Sequence, residues 1–470
     1  MVPTAHEFDV VIIGGGPAGY AAALRGGLAG LSIAIVEKDR VGGTCLHRGC
    51  IPAKELLETA TVYRTVAGAS EFGVSVDAPK LDFSRSQARK QKVVDGLWKG
   101  LQGLLKKRKV TMFAGVGTLG PDHVVSVDDG TKLHGNHVIL ASGSVPRTIP
   151  GFEVDGKVVM TSDEILELED LPSSAAVIGG GAIGCEFASM LSDLGTEVTI
   201  LEALPKILPG CDADVTDVVL RSFKKRHIDV RSGVVVMGHT KAPDGASTTV
   251  HFGDGEEIDV EAVVVSVGRS PLSGNLGLAA TAVEIDERGF VIVDDQMRTA
   301  EPGVFAAGDL VATPALAHVG FAEGVLIIDQ ILDGADAVVP VDYGKVPWCI
   351  YCHPEVAFVG LSEEAAKEAG YAVVAKTDPF RGNGRALIVG EPEGMVKVIC
   401  EKTASGGAGR ILGVHMVGAW VTEQLGQAYL AVNWEATPEE VAPYIQPHPT
   451  LSETFGETVL ALTGRGLHVG

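Results

Sequence analysis

Long apolar runs are the first thing missing. Nowhere in the 470 residues do about 18 consecutive apolar residues occur, the length a membrane-crossing helix needs. Residues Met1 to Asp9 also lack a basic segment followed by a signal-length apolar run and cleavage site. Both absences lead to the expectation of a cytoplasmic protein without membrane insertion. Cysteine is scarce too: seven residues, an odd number scattered over a long chain, do not make a secreted disulfide framework. Positive charge is deficient, with 38 Lys and Arg against 60 Asp and Glu and a formal net charge of −22. Such a surface repels phosphate-rich partners, which argues against broad nucleic-acid or anionic-membrane binding. Aromatics make up only 5%, whereas glycine reaches 60 residues and hydrophobic residues 46%. That balance suits a compact α/β chain rich in strand-to-helix turns, long enough for about three domains.

What is present begins with an apolar strand, Phe8 to Ile13, running straight into Gly14-Gly15-Gly16-Pro17-Ala18-Gly19 and an alanine-rich helix. Glycines at this spacing allow a tight turn and close backbone approach of a pyrophosphate, which the helix N-terminus favours electrostatically. A second strand, Ser32 to Val36, delivers Glu37 to a ribose diol. The whole unit recurs: Ala175 to Ile178, then Gly179-Gly180-Gly181-Ala182-Ile183-Gly184, a helix to Leu194, and a strand ending at Glu202. In each copy the acid lies 18 positions beyond the last glycine. Two dinucleotide sites follow. Glu202 would repel a 2′-phosphate and no basic residue follows it directly, so NAD is expected over NADP.

Between the copies stands Gly42-Gly43-Thr44-Cys45-Leu46-His47-Arg48-Gly49-Cys50-Ile51-Pro52-Ala53-Lys54. Five positions of regular helix turn two side chains about 140° apart, so only an irregular turn could bring Cys45 and Cys50 together. A cysteine near a helix N-terminus has a stabilised thiolate. From Leu81 to Lys109 the pattern is helical, and its terminal Lys106-Lys107-Arg108-Lys109 reads as a solvated helix end. Gly303 to Asp309 is a short apolar strand delivering an aspartate; it suits a ribityl-binding carboxylate and reads equally well as a turn. After Tyr343 the texture becomes that of an antiparallel sheet with helices on one side. Cys349 and Cys352 form a C-x-x-C pair, but no second pair or histidine cluster accompanies them, and no metal site is expected. Near the C-terminus His448 lies between Pro447 and Pro449, with Glu453 just inside the following helix. A histidine with a carboxylate partner has a fixed tautomer and raised basicity, as a proton acceptor from thiols needs.

Taken together, these residues resemble the pyridine nucleotide-disulfide oxidoreductases, over essentially Phe8 to Leu460. The most specific match is the Gly42 to Lys54 block, supported by His448-Pro449 with Ser452-Glu453. The resemblance implies two Rossmann-like dinucleotide-binding domains plus a C-terminal α+β dimerisation domain. The implied bounds are 1–148 (first part of the FAD domain), 149–272 (NAD), 273–342 (completing the FAD site) and 343–470 (interface). It implies an FAD site from Gly14, Gly16, Pro17, Ala18, Gly19, Glu37, Lys38, Gly43, Thr44, Gly117, Ser142, Gly143, Asp309, Ala317 and His318. Gly179, Gly181, Ile183, Gly184, Glu202 and Gly268 would hold NAD. Cys45 would exchange with substrate and Cys50 face the flavin; Lys54, near flavin N5, would pair with Glu186. The His448–Glu453 dyad would act across a homodimer. The implied reaction is reoxidation of dihydrolipoyl groups on an acyltransferase or carrier protein of a 2-oxo acid dehydrogenase or glycine cleavage complex. Reduction of another disulfide or a quinone by NADH, and a non-catalytic flavoprotein subunit, are the alternatives. Departures from the common pattern are His47 and Arg48 between the cysteines, Ser142 for threonine, and Leu272 after Gly268-Arg269. The charged pair would bear on access or redox poise.

Overall fold

Val10, Val11 and Ile12 alternate between two faces of one strand and are fully buried on both, so this strand must lie inside a sheet covered on each side. The structure, a computed structural model, describes residues 6–468; the first five residues of the N-terminal stretch and the last two of the tail lie outside the described residues. Strand His6–Ile13 is flanked in parallel by Ile33–Glu37 and Lys132–Leu140; Thr111–Ala114 forms one edge, and Val304–Ala306 joins Lys132–Leu140. Gly117–Leu119 and Val124–Val127, an antiparallel ribbon that the sequence pattern does not announce, continue the sheet.

A second, all-parallel sheet repeats the plan in the order 229–232, 197–202, 174–178, 262–265 and 159–160. A three-stranded meander, Val236–Lys241, Thr248–Phe252 and Glu256–Val260, packs against it. The third large sheet is antiparallel throughout, ordered 348–350, 355–360, 408–418, 395–402 and 373–379, with helices Val421–Asn433 and Glu453–Leu462 packed on it. The architecture is therefore α/β with two Rossmann-like units and an α+β C-terminal unit. Among the described residues no helix is long and apolar enough to cross a membrane.

Val291 forms isolated bridges to Ile285 and Val311. Helix Cys50–Ala67 is preceded by a short helix, Gly43–Arg48. The first fingerprint helix starts at Pro17, whose missing N–H costs nothing at the first helical position.

The first-fingerprint helix, Pro17–Ala29, lies directly on helix Ala317–Asp333. Glycine allows the close approach: a Cβ on Gly324 would sit 2.3 Å from the Ala18 carbonyl oxygen and 3.1 Å from Ala22 N. Helix propensity alone favours Gly324→Ala by about 1 kcal/mol. The backbone clash opposes it, and overpacking of this kind costs about 1–3 kcal/mol. A lower urea midpoint for Gly324→Ala is the expected result; an unchanged or raised midpoint would show that the two helices part freely.

Candidate active site

The two nucleotide turns share one physical design. Gly14 and Gly179 have φ of +106° and +105°, and a Cβ there would press within 2.2 and 2.5 Å of the Ala141 and Ser266 carbonyl oxygens. Gly19 and Gly184 let each helix settle on its own turn, where a Cβ would lie 2.0 and 1.9 Å from the Gly14 and Gly179 carbonyl oxygens. The middle glycines differ. Gly16 and Gly181 have ordinary backbone (φ −71° and −74°), and an added Cβ would meet nothing closer than 4.0 Å at Gly16 and nothing within 4 Å at Gly181. Protein packing does not require glycine there; close approach of a ligand does. Neither helix start has a side-chain cap, so the first-turn N–H groups are free for a pyrophosphate. These residues fit two dinucleotides.

The acids brace the same turns. Glu37 accepts Gly15 N–H at 2.7 Å and Asp39 N–H at 2.8 Å; Glu202 accepts Gly180 N–H at 2.5 Å and Leu204 N–H at 2.6 Å. Each carboxylate oxygen retains lone pairs for a ribose hydroxyl. Ile183 lies in the first turn of helix Ala182–Asp193, while Gly268 (φ +105°) accepts Arg147 N–H. Gly117 backs onto Val36 and Ile13, Lys38 is exposed beside Glu37, and Gly43 sits so close to Gly16 that its Cβ would be 2.6 Å from Gly16 Cα.

Cys45 lies inside the short helix with Thr44, and Cys50 opens the next one, the chain breaking at Gly49 between them. That break supplies the irregularity the spacing demands: both thiols are free, and they share a hydrogen bond. The pair is electrostatically unequal. The Cys45 thiol donates to Cys50, which lowers Cys50 to about 7 against the opposing effect of burial, with the Lys54 ammonium assisting. Cys45 is raised by the same hydrogen bond and by burial. Cys50, at the helix start, is therefore the thiolate.

Lys54 donates to both Glu186 oxygens at 2.9 and 2.8 Å. Burial would lower the lysine, but Glu186 outweighs it and the net shift is upward. Two contacts here have no sequence signal: Tyr351 N–H donates to Glu186 at 2.8 Å, and the Tyr351 ring lies 5.0 Å beneath the Lys54 ammonium. Asp309 accepts Ser144 Oγ–H at 2.6 Å, and Arg269 donates to Ser144 Oγ at 2.6 Å and stands 3.5 Å from Asp309. The fully buried Glu323 accepts Gly308 N–H at 2.6 Å and Tyr343 O–H at 2.9 Å, fixing the turn that carries Asp309; burial raises its pKa. Nothing in the sequence singles it out, since the same helix also carries Asp329 and Asp333. Ser142 donates to the Leu272 carbonyl and Gly143 accepts Leu272 N–H, tying those positions together. Ala317 begins helix Ala317–Asp333, and His318 bonds the Pro347 carbonyl at 2.8 Å.

His47 and Arg48 are engaged elsewhere than with the thiols: His47 Nε2 bonds the Val41 carbonyl at 3.0 Å, and Arg48 pairs with Asp39 at 2.6 Å. Cys349 and Cys352 face different cores, and burial raises both thiols. His448 Nδ1 bonds Glu453 at 2.8 Å, and the other Glu453 oxygen accepts Thr450 N–H at 2.6 Å. The His448 side chain is 79% exposed.

An open groove of about 450 Å³ runs between helices Pro17–Ala29, Phe83–Lys107 and Ala317–Asp333. Its walls are Tyr20, Ala21, Leu24, Leu28, Leu104, Phe321 and Val325, with Arg25 and Arg108. Tyr20 lies in the field of both thiols: burial first, then Cys45 and Cys50, push its hydroxyl up to about 12.

Residues 8–324 match the family described as pyridine nucleotide-disulphide oxidoreductase, and residues 346–459 its dimerisation domain. The chain is 42% identical to dihydrolipoyl dehydrogenase of Bacillus subtilis (strain 168), covering 99% of this chain and 100% of that one. It is 36% identical to the mitochondrial dihydrolipoyl dehydrogenase of Pisum sativum, covering 98% and 93%. Among solved structures, LpdA (Rv3303c) from Mycobacterium tuberculosis superposes with a TM-score of 0.89 at 26% identity, covering 97% of this chain and 100% of that one. The HOCl-induced flavoprotein disulfide reductase RclA from Escherichia coli gives 0.84 at 25%, covering 96% and 99%.

The inequality of the thiols generates a titration. In the reduced protein, thiolate ultraviolet absorbance is expected to rise near pH 7 in wild type. The inflection should vanish in Cys50→Ser and move upward by roughly 1–3 pH units in Lys54→Met. An inflection at the ordinary thiol value of about 8.5 in wild type would contradict this assignment.

Proposed function

The chain belongs to the pyridine nucleotide-disulphide oxidoreductase family, and from that premise we propose that it acts as a dihydrolipoyl dehydrogenase, the name its relatives carry at 36–42% identity over nearly their full length. It is an FAD-dependent oxidoreductase that uses NAD. The observation that carries the reading is the unequal thiol pair, with Cys50 stabilised as thiolate and Cys45 held as thiol; an apolar groove is walled in part by Tyr20, whose hydroxyl feels both thiols. Glutathione is a charged peptide and would gain little from such walls; a dihydrolipoyl arm is an alkyl chain ending in two thiols.

His448, its Nδ1–H held by Glu453, offers the Nε2 lone pair to a substrate thiol. The resulting substrate thiolate attacks Cys45 Sγ of the oxidised Cys45–Cys50 disulfide, forming a mixed disulfide and releasing Cys50 as thiolate. The second substrate thiol attacks the substrate sulfur of that mixed disulfide and closes the lipoyl ring, its proton passing to the departing Cys45 sulfur, while His448 keeps the first proton beside the Cys50 thiolate. Two electrons now reside on the cysteine pair. FAD, when bound, supplies the two-electron exchange that couples these thiols to hydride formation on NAD⁺. Gly14 to Gly19, Glu37, Lys38, Gly43, Thr44, Gly117, Ser142, Gly143, Asp309, Ala317 and His318 would hold it, with Lys54 and Glu186 setting the charge beside the thiolate. Gly179, Gly181, Ile183, Gly184, Glu202 and Gly268 would hold NAD, Glu202 repelling a 2′-phosphate.

His448 is exposed on its own chain and would reach the cysteine pair of a second copy, a reading the dimerisation domain supports. The units implied are 1–148, 149–272, 273–342 and 343–470. The protein would work in the cytoplasm, on a lipoyl-bearing acyltransferase or carrier of a 2-oxo acid dehydrogenase or glycine cleavage complex.

His448→Gln is expected to lower dihydrolipoamide oxidation roughly 10²–10⁴-fold. Heterodimers made from Cys50→Ser and His448→Gln chains should regain one working site each. Failure to regain activity in steady-state assays would show that the base acts within its own chain. Leu24→Glu places a charge in the groove and should raise KM for dihydrolipoamide about tenfold or more, with NADH-driven reduction of the cysteines unchanged; a KM equal to wild type would remove the groove from the substrate path.

A further inference from the structure

Residues 83–109, the helix Phe83–Lys107 and its cap, hold nine of the chain's 38 cations and one of its 60 anions. This segment therefore carries +8, which leaves −30 on the rest of a chain of net −22. Some of the cations are explained structurally. Arg85 pairs with Asp82, Arg89 with Glu55 and Lys90 with Glu167. Lys92, Lys99, Lys106, Lys107, Arg108 and Lys109 form no ion pair among the described residues, although carboxylates are in large excess over the chain.

Their placement is ordered. Lys92, Lys99 and Lys106 recur every seven residues, so they make one stripe along the helix with charges about 10 Å apart. All three are exposed. The same helix and its cap contribute Leu104 and Arg108 to the apolar groove that reaches Tyr20, on the side of the helix away from the stripe. Like charges left unpaired along one face repel one another and contribute nothing to folding. A helix-terminal role accounts for Lys106 and Lys107 only, because the dipole effect fades within the last turn.

We propose that this stripe docks the acidic face of the protein domain carrying the dihydrolipoyl arm, the arm reaching round the helix, about 10 Å across, into the groove on its other side. The inference rests on the functional reading above and adds the partner's recognition surface. Charge complementarity selects the occupant. A duplex or an anionic bilayer is an extended polyanion that would also meet the −30 borne by the rest of the chain, whereas a compact acidic domain need touch one helix face. Attraction of this kind raises the encounter rate and weakens with salt.

The test uses the FAD-loaded enzyme with two substrates, free dihydrolipoamide and a recombinant dihydrolipoylated domain of strongly negative net charge. Lys92→Glu/Lys99→Glu/Lys106→Glu should raise KM for the domain at least about fivefold, and the Gln counterparts less. KM for dihydrolipoamide should be unchanged, which also reports intact folding. In wild type, salt raised from about 0.05 to about 0.3 M should raise KM for the domain alone. Equal KM values for the domain in wild type and the Glu variant would overturn the proposal, as would a parallel rise for dihydrolipoamide. So would charge-dependent binding to phosphatidylserine vesicles or duplex DNA without an effect on the domain. If wild type oxidises no dihydrolipoamide, the functional reading falls; anisotropy of the labelled oxidised domain then still decides whether the stripe docks it.

Discussion

Everything at the thiol pair depends on one carboxylate. Glu186, 6% exposed, takes the Lys54 ammonium on both oxygens and the Tyr351 N–H on one. These partners come from helix Cys50–Ala67, helix Ala182–Asp193 and the segment after strand Trp348–Ile350, so three parts of the chain meet on one charge. Without the acid, burial would act on the Lys54 ammonium unopposed and push its pKa down. Lys54 in turn helps to hold Cys50 as thiolate. The thiol asymmetry is thus a property of long-range assembly as much as of the Cys45 to Cys50 spacing.

The nucleotide turns were legible because each demand they make is local. A positive φ, a backbone contact and an open ligand-facing position each call for glycine, and the helix and strand lengths follow from periodicity. Glu37 and Glu202 were legible for the same reason, although their bonds to Gly15 and Gly180 show them bracing the turns as well. Tyr351, Arg269 and Glu323 were not legible. Their partners lie 165, 125 and 15 positions away, and nothing in a neighbouring residue marks them. His47 and Arg48 were misleading in the opposite sense: proximity in sequence to the cysteines suggested influence on them, while their hydrogen bonds run to Val41 and Asp39. The meander at 236–260 escaped notice because its strands mix exposed charge with few apolar residues, a weak period-two signal.

Composition hid a second feature. A net charge of −22 describes an average, and the average conceals a helix of opposite sign. Lys106 to Lys109, taken alone, look like a terminus answering the helix dipole; only with Lys92 and Lys99 placed on the same face does Lys106 become part of a stripe. Apolar groove and cationic stripe share one helix, so a substrate group and its protein carrier would be recognised by a single rigid element.

The contact between Gly16 and Gly43 has a further consequence. The turn for one cofactor and the helix bearing Cys45 touch backbone to backbone, with no room for a side chain on Gly43. Neither segment could drift during evolution without the other retreating. The electron carrier's seat and the redox helix are in that sense one heritable part, and a descendant that abandons the thiol chemistry would still inherit the glycine that once made room for it.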